Sequence, residues 1–341
     1  MPLTLSNKVK RKSDFRPGRW RLGLLLVLLL IVFGCLWAVT HVQQLRDWYV
    51  LSTYKPPSSI SSLASEDTMT PYARMLFFVN RPQLETKSGF AQNCPSGSDQ
   101  AYVIGCYHSG DRGIYLLNVT DNRLNGIVPV TAAYEMLHAG YARLSNQARN
   151  TLDKQMWSFF ISSVKSTEIR QQMASYEATE PGAKYDELYS VLGTEVAALP
   201  PSLNQAYSEY FTDRTKIVML YDGYQAAFSL RQNQIASDDL LLAKLKSVID
   251  SNQASLNSMY SIIIKNQTVL NQDRAVYDIS AYDAGVNQYN ALVNQYNSLI
   301  RTTQAEINNY NDLVSKRNSL VLIEQQLTQD LNTSKLPSSI K

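Results

Sequence analysis

Two residues of this sequence, Glu135 and His138, have the types and the spacing that metal-assisted hydrolysis requires. They belong to the segment Tyr134-Glu135-Met136-Leu137-His138, which we interpret as part of a helix. In the motif H-E-x-x-H, two histidines one turn apart bind zinc, and the glutamate polarises the metal-bound water. The general base, Glu135, and the second ligand, His138, are therefore present. A phenol, Tyr134, stands where the first ligand belongs.

The sequence offers few replacements for the missing ligand. It contains only three histidines, at positions 41, 108 and 138. A catalytic zinc needs three protein ligands and an open position for water. A phenol, with a free pKa of about 10, must lose its proton to bind zinc well. We therefore predict that Tyr134 is a vestigial ligand, that no cofactor is bound, and that zinc is bound only if the site is still active.

The flanks of this motif resemble those of membrane-anchored bacterial zincin-like proteins, a group related to zinc metallopeptidases. The resemblance covers roughly residues 74–225. It rests on three segments, Gly105–Tyr107, Thr131–Leu144 and Glu187–Val196. It implies an α+β fold in which a minimal zincin-like domain combines a few strands with the motif helix.

The resemblance also implies a ligand set, and this sequence departs from it twice. Tyr134 and Tyr189 both stand where the family pattern has histidine. The implied acidic third ligand is best matched by Glu195, on a helix that we predict over residues 186–198. Glu195 has a second interpretation as a structural carboxylate bonded to tyrosine hydroxyls, because a buried carboxylate without partners is costly.

An uncharged apolar run over residues 22–40 predicts a membrane helix at the N-terminus. Most nearby basic residues precede the run, so the positive-inside rule places the N-terminus in the cytoplasm and the remainder outside the cell. We therefore expect a single-pass protein of the cell membrane with extracytoplasmic C-terminal domains. A cleaved signal peptide is the alternative.

Two cysteines, Cys94 and Cys106, lie in the part of the chain predicted to be exported. In an oxidising compartment their spacing suits a disulfide that closes a short loop. The alternative is a metal site that adds His108, although structural zinc sites ordinarily use four ligands. The third cysteine, Cys35, falls within the apolar run.

The rest of the chain divides by composition and periodicity. Short apolar segments predict strands over 74–79, 101–107 and 113–119, the last two joined as a hairpin. Apolar residues at helical spacing over 147–176 predict core helices. The predicted domain boundaries are a basic cytoplasmic tail at 1–21, the anchor at 22–41, a stalk at 42–72, the zincin-like domain at 73–230, a coiled-coil hairpin at 231–332 and a flexible tail at 333–341.

Heptads dominate the C-terminal third. Two aliphatic series, from Ile235 to Leu270 and from Val286 to Val321, recur every seven residues on either side of a break predicted at 271–285. Sustained heptads indicate a coiled coil. Two arms of similar length around one break predict an antiparallel hairpin.

These features favour a binding or scaffold function. We expect a pseudo-metallopeptidase of the cell envelope that binds a protein partner or its own copies through the coiled coil, with a peptide in the vestigial cleft as a further option. A zinc-dependent endopeptidase with Glu135 as general base is the alternative, and a purely structural protein is the third possibility. With a net charge of +3 and no basic stripe outside the N-terminus, nucleic acid is not an expected partner.

Overall fold

The computed structural model describes residues 17–94, 103–110, 113–179 and 182–332. These residues are mostly helical, with one small three-stranded sheet and two long C-terminal helices. The predicted tail at 333–341 and most of the tail at 1–21 lie outside them. The chain divides into two compact units, residues 1–56 and 57–341.

The first unit consists of two helices, α1 (Pro17–Thr40) and α2 (Val42–Thr53). Most apolar side chains of α1 from Leu24 onward are exposed. Among the described residues, no single helix has the length and apolar character that crossing a bilayer requires. The segments Leu24–Thr40 and Val42–Thr53 meet that test only as a pair, bent by 75°.

The second unit is built around α6 (Ile127–Ala142), which is apolar on nearly all sides. A helix of this kind has no face suited to water, so neighbouring elements cover it. Helices on several sides and the sheet pack against α6. The helices that complete this unit before the long pair are α3 (Ser58–Glu66), α4 (Pro71–Val79), α5 (Lys87–Asn93), α7 (Asn146–Ser163), α8 (Thr167–Thr179), α9 (Lys184–Thr194) and α10 (Pro201–Tyr207), with a 3₁₀ turn at Asn122–Leu124.

The sheet contains β1 (Gln83–Glu85), β2 (Gly105–His108) and β3 (Gly113–Leu117) in the order β1-β3-β2. The strands β2 and β3 form the antiparallel hairpin that the sequence predicts, and β1 runs parallel to β3. Both strands of the hairpin are shorter than predicted. At Gly113, φ is +105° and an added Cβ would lie 2.7 Å from the carbonyl oxygen of Asn80, so only glycine fits.

The strand predicted over 74–79 is wrong, because this segment belongs to α4. Thr70 caps the helix, and its hydroxyl accepts a hydrogen bond from the amide of Ala73 at 3.2 Å. Pro71 occupies the first helical turn, where its fixed φ is favourable. The helix start signals therefore outweigh the strand-like run of apolar residues that follows them.

The stalk predicted over 42–72 is also wrong in its second half. Ile60, Leu63 and Ala64 of α3 are buried in the same core as α6. Their spacing of three and four residues places them on one face of a helix, which explains why α3 folds onto the domain.

The C-terminal third forms a helical hairpin of α11 (Arg214–Ala275) and α12 (Ile279–Leu331). The helices are antiparallel, since Asp239 pairs with Arg317, Asn252 with Glu306 and Tyr260 with Tyr296. The turn between them spans only residues 276–278, so the predicted break at 271–285 is too long.

Both ends of the hairpin are anchored in the domain. Ile217 and Tyr221 of α11 lie in the main core, and Leu327 and Leu331 of α12 pack with Leu124. The boundary predicted between residues 230 and 231 therefore falls inside one continuous helix. We call the part of the hairpin from Ile235 to the turn, with the facing part of α12, the arm.

The predicted disulfide between Cys94 and Cys106 is confirmed, with a Cα–Cα distance of 6.0 Å. It ties the end of α5 to β2. We expect the double substitution of both cysteines by alanine to lower the free energy of unfolding by about 3 kcal/mol, because the unfolded chain regains loop entropy. Denaturant titration of this variant against Cys35→Ala gives the test, and equal midpoints would contradict the expectation.

Candidate functional site

The site lies between α6 and α9. Tyr134 and His138, one turn apart on α6, have ring centroids separated by 5.1 Å. Asp186 and Glu187, in the first turn of α9, face them. The imidazole Nδ1 of His138 lies 2.8 Å from Oδ1 of Asp186, and its Nε2 lies 3.7 Å from Oε2 of Glu187. One carboxylate therefore orients the ring while a second approaches its other nitrogen.

The phenol of Tyr134 closes this arrangement. Its hydroxyl donates a hydrogen bond of 2.5 Å to Oε2 of Glu187 and lies 3.4 Å from the hydroxyl of Tyr176. Burial raises the pKa of Tyr134 well above 10, and the charges of its neighbours act in the same direction. The phenol therefore stays neutral and acts as a donor to Glu187.

His138 carries a positive charge in this environment. Burial disfavours the imidazolium, but the hydrogen bond to Asp186 and the charge of Glu187 outweigh it and raise the pKa of His138 to about 9. An imidazolium donates from both nitrogens and has no lone pair for a metal. At neutral pH, His138 is thus held as an ion-pair partner of the two α9 carboxylates.

Glu135, three residues before His138 on α6, packs against β2. Burial raises the pKa of its carboxyl group to about 8, although the charge of His138 opposes the shift. The side chain lies against Gly105, where an added Cβ would be 2.6 Å from Oε1 of Glu135 and 2.5 Å from Cγ2 of Thr131. Gly105 therefore allows α6 and β2 to approach closely enough to enclose the carboxyl group.

This close approach predicts a large effect of one methyl group. We expect Gly105→Ala to destabilise the domain by about 2–3 kcal/mol, because either β2 or α6 must shift. Gly182→Ala is the control, since an added Cβ there meets nothing within 4 Å. Equal denaturation midpoints for the two variants would show that the contact is not tight in solution.

Glu195 is the residue that the resemblance implies as the acidic third ligand. It follows the last residue of α9, which ends at Thr194 and so is shorter than the predicted helix over 186–198. Its Oε1 accepts a hydrogen bond from Nε2 of Gln172 at 3.2 Å. Burial raises the pKa of Glu195 to about 7, partly offset by the bonds from Gln172 and Tyr221.

Tyr189 lies in the aromatic core and not at the site. Its ring packs against those of Tyr141, Tyr207 and Tyr210, and the hydroxyl of Tyr207 donates to its carbonyl oxygen at 2.7 Å. The residue is 1% exposed. Tyr189 is therefore a packing residue in this structure.

Sequence reasoning missed the two residues closest to His138. Glu187 belongs to the segment that carries the resemblance and Asp186 begins the helix predicted over 186–198, but the resemblance implies Glu195 as the acidic ligand. The available signal was the pair of carboxylates at the start of a helix, a position that also favours acids for the helix dipole. Tyr176 had no signal, since it stood among residues predicted only as core.

The donor set at this site does not fit a catalytic zinc. It consists of one imidazole that is protonated at neutral pH, one carboxylate paired with that imidazole, a second carboxylate that accepts a phenol, and the neutral phenol itself. Zinc requires deprotonated ligands. The arrangement instead satisfies its own polar groups.

The alternative metal site at the sheet edge is also closed. Cys94, Cys106 and His108 are the only three potential ligands grouped within 4.8 Å in the described part of the chain. The two sulfurs are joined in the disulfide, and Nε2 of His108 lies 2.8 Å from the carbonyl oxygen of Asn93.

No family model, curated protein or solved structure matches this chain.

Proposed function

We propose that this chain is a pseudo-metallopeptidase, a binding or scaffold protein in which a zincin-like site has become a hydrogen-bonded structural centre. The observation that carries the proposal is the bond from Tyr134 to Glu187. The phenol fills the place of the first histidine and donates to the carboxylate of Glu187, whose Oε2 lies 3.7 Å from Nε2 of His138. A water-activating metal would have to break this bond and deprotonate His138.

The same contacts give the centre a structural role. They join α6 to α9 through Asp186 and Glu187, and to α8 through Tyr176. Because the groups are buried and paired, removing one leaves its partner without compensation. Conversion of the site to a polar clamp explains the presence of His138 in a site that lacks the first histidine.

The arm is the part of the chain that we assign to interaction. It is long, it projects from a domain that anchors both of its ends, and it exposes apolar side chains such as Leu240, Leu241 and Ile300. Exposed apolar rows of this kind mark protein-protein contact sites. The zincin-like domain then serves as the base that holds the arm.

We further propose that α1 anchors the protein in the cell membrane, with residues after Val42 extracytoplasmic. The support is the apolar run and the basic residues that precede it. Carbonate extraction and protease protection of the full chain test this point. Release of the intact chain by carbonate would exclude the anchor.

The test of the structural centre is its indifference to metal. We expect the unfolding midpoint of the full chain to stay the same in chelator and in excess zinc, and peptidase activity to be absent before and after Glu135→Gln. A midpoint that falls in chelator, or a peptidase activity that Glu135→Gln removes, would favour the zinc-dependent endopeptidase instead.

A further inference from the structure

The helix α11 carries one apolar row more than the hairpin uses. In an antiparallel pair, two rows of each helix face the partner. A helix that packs against a further neighbour carries a third apolar row, which widens its apolar stripe. The aliphatic members of the third row of α11 are between 37% and 73% exposed. This α11 row comprises Leu241, Val248, Ser255, Ile262 and Val269, and it ends at Val276, the first residue after the helix.

The helix α12 carries a matching row. Its members are all β-branched and all reach the surface in part, with Ile300 the most exposed at 41%. The sequence predicts these residues in the seam of the hairpin, but none of them is fully buried, whereas Leu313 lies with Leu241 at the groove between the two helices. This α12 row comprises Val286, Val293, Ile300, Ile307, Val314 and Val321.

The two rows lie on opposite sides of the arm. Leu241 of the α11 row lines an open groove of about 450 Å³ together with Asn309 and Lys316 of α12. Ile307 and Val314 of the α12 row precede these two residues by two positions, which is about 200° around a helix. The α12 row therefore faces away from the groove.

The rows also lie at the same heights along the arm. Tyr260 contacts Tyr296. Five residues before Tyr260 on α11 is Ser255, and five residues after Tyr296 on α12 is residue 301, next to Ile300, so Ser255 and Ile300 lie at nearly the same height. Counting two residues from the pair of Asp239 and Arg317 brings Leu241 level with residue 315, next to Val314. A mismatch of one residue is only about 1.5 Å.

We propose that arms of neighbouring copies pack side by side, parallel and at equal height, with the α11 row of one copy against the α12 row of the next. This inference deepens the proposed function, because it takes the arm as the interacting part and names a second copy as its partner. The match is also one of size, since Ser255, the small member of the α11 row, falls opposite Ile300.

The available surface is sufficient for a specific contact. From Leu241 to Val276 the row extends about 52 Å, and a strip one helix wide, about 10–12 Å, covers about 500–600 Å² per copy. The total of about 1,000–1,200 Å² reaches the lower limit of specific interfaces. Copies held at one level in a membrane would meet at high effective concentration, which strengthens such a contact. Because two different rows meet, each added copy leaves a row free for another.

Cysteine cross-linking of the full chain, in membranes and with Cys35→Ser throughout, tests the contact. Ser255→Cys and Ile300→Cys are introduced singly and together, and the membranes are oxidised mildly. We expect the double variant to give a ladder of dimers, trimers and larger species. Each single variant should stay monomeric, and a mixture of the two, co-expressed, should stop at dimers.

Disruption provides the second arm of the experiment. In a chain with the cross-linking pair Ile262→Cys and Val293→Cys, Ile300→Lys should abolish the ladder. Leu322→Lys should not, since Leu322 is 60% exposed on α12 but lies outside the row. Dimers from either single variant would show a symmetric contact instead. The proposal would also be overturned if the double variant formed no cross-links although its thiols react with maleimide. The same holds if it were cross-linked only to another protein.

Discussion

Tyr134→His is expected to give a variant that binds a single zinc ion tightly, whereas the wild type is expected to bind none stoichiometrically. The substitution removes the phenol that occupies Glu187 and supplies an imidazole one turn from His138. Two histidines and Glu187 then make the three-ligand set of a catalytic zinc site. Zinc at about 100 times its dissociation constant should stabilise the variant by about 2.7 kcal/mol.

Matched variants distinguish restored zinc coordination from the loss of the tyrosine hydroxyl alone. Tyr134→Phe keeps the ring, removes the hydroxyl and should bind no zinc. Adding Glu187→Gln to Tyr134→His should abolish the gain, whereas adding Glu195→Gln should leave most of it. These effects are measured by zinc titrations followed by unfolding. If Glu195→Gln abolished the gain and Glu187→Gln left most of it, Glu195 would be the third ligand, as the family resemblance implies.

The stability of the protein should fall by several kcal/mol as the pH rises from 5 to 9, because each unit of pKa shift is worth about 1.4 kcal/mol. In the fold, the pKa of Glu135 is raised from 4.5 to about 8 by burial, and that of His138 from 6.5 to about 9 by its carboxylate partners, against the effect of burial. Both groups thus bind protons more tightly when folded. Their contribution is present at low pH and is lost as the pH rises through the folded values.

Denaturant titrations of the full chain, followed by tryptophan fluorescence at several pH values, measure this dependence. Glu135→Gln should flatten the curve below about pH 8, because the glutamine does not ionise. His138→Gln should flatten its upper part. If the stability of the wild type rose between pH 5 and 9, Glu135 would be charged and His138 neutral in the folded protein.

The sequence predicted the long-range plan of this fold better than its local details. Heptad periodicity over many turns predicted the antiparallel hairpin, because each repeat adds to the same signal. It did not decide which row faces the partner helix, since Val286 and Leu292 belong to rows that are both aliphatic. That choice depends on packing against α11, which one helix does not reveal.

The site shows a similar limit. The motif identified Tyr134, Glu135 and His138, because one helical turn fixes their relation. It could not identify Glu187, which reaches His138 only through the packing of α9 against α6. The error at residues 74–79 has a local cause, since a run of apolar residues is compatible with either a strand or a buried helix.

We propose that hydrogen bonds replace a metal at this centre. Metal content by mass spectrometry on the full chain, purified in detergent without chelator or a zinc-binding affinity tag, tests it most directly. We predict less than about one tenth of an equivalent of zinc, the level of a chain without a complete ligand set, and the same value for His138→Ala. A full equivalent of zinc in the wild type that is lost in His138→Ala would contradict the account.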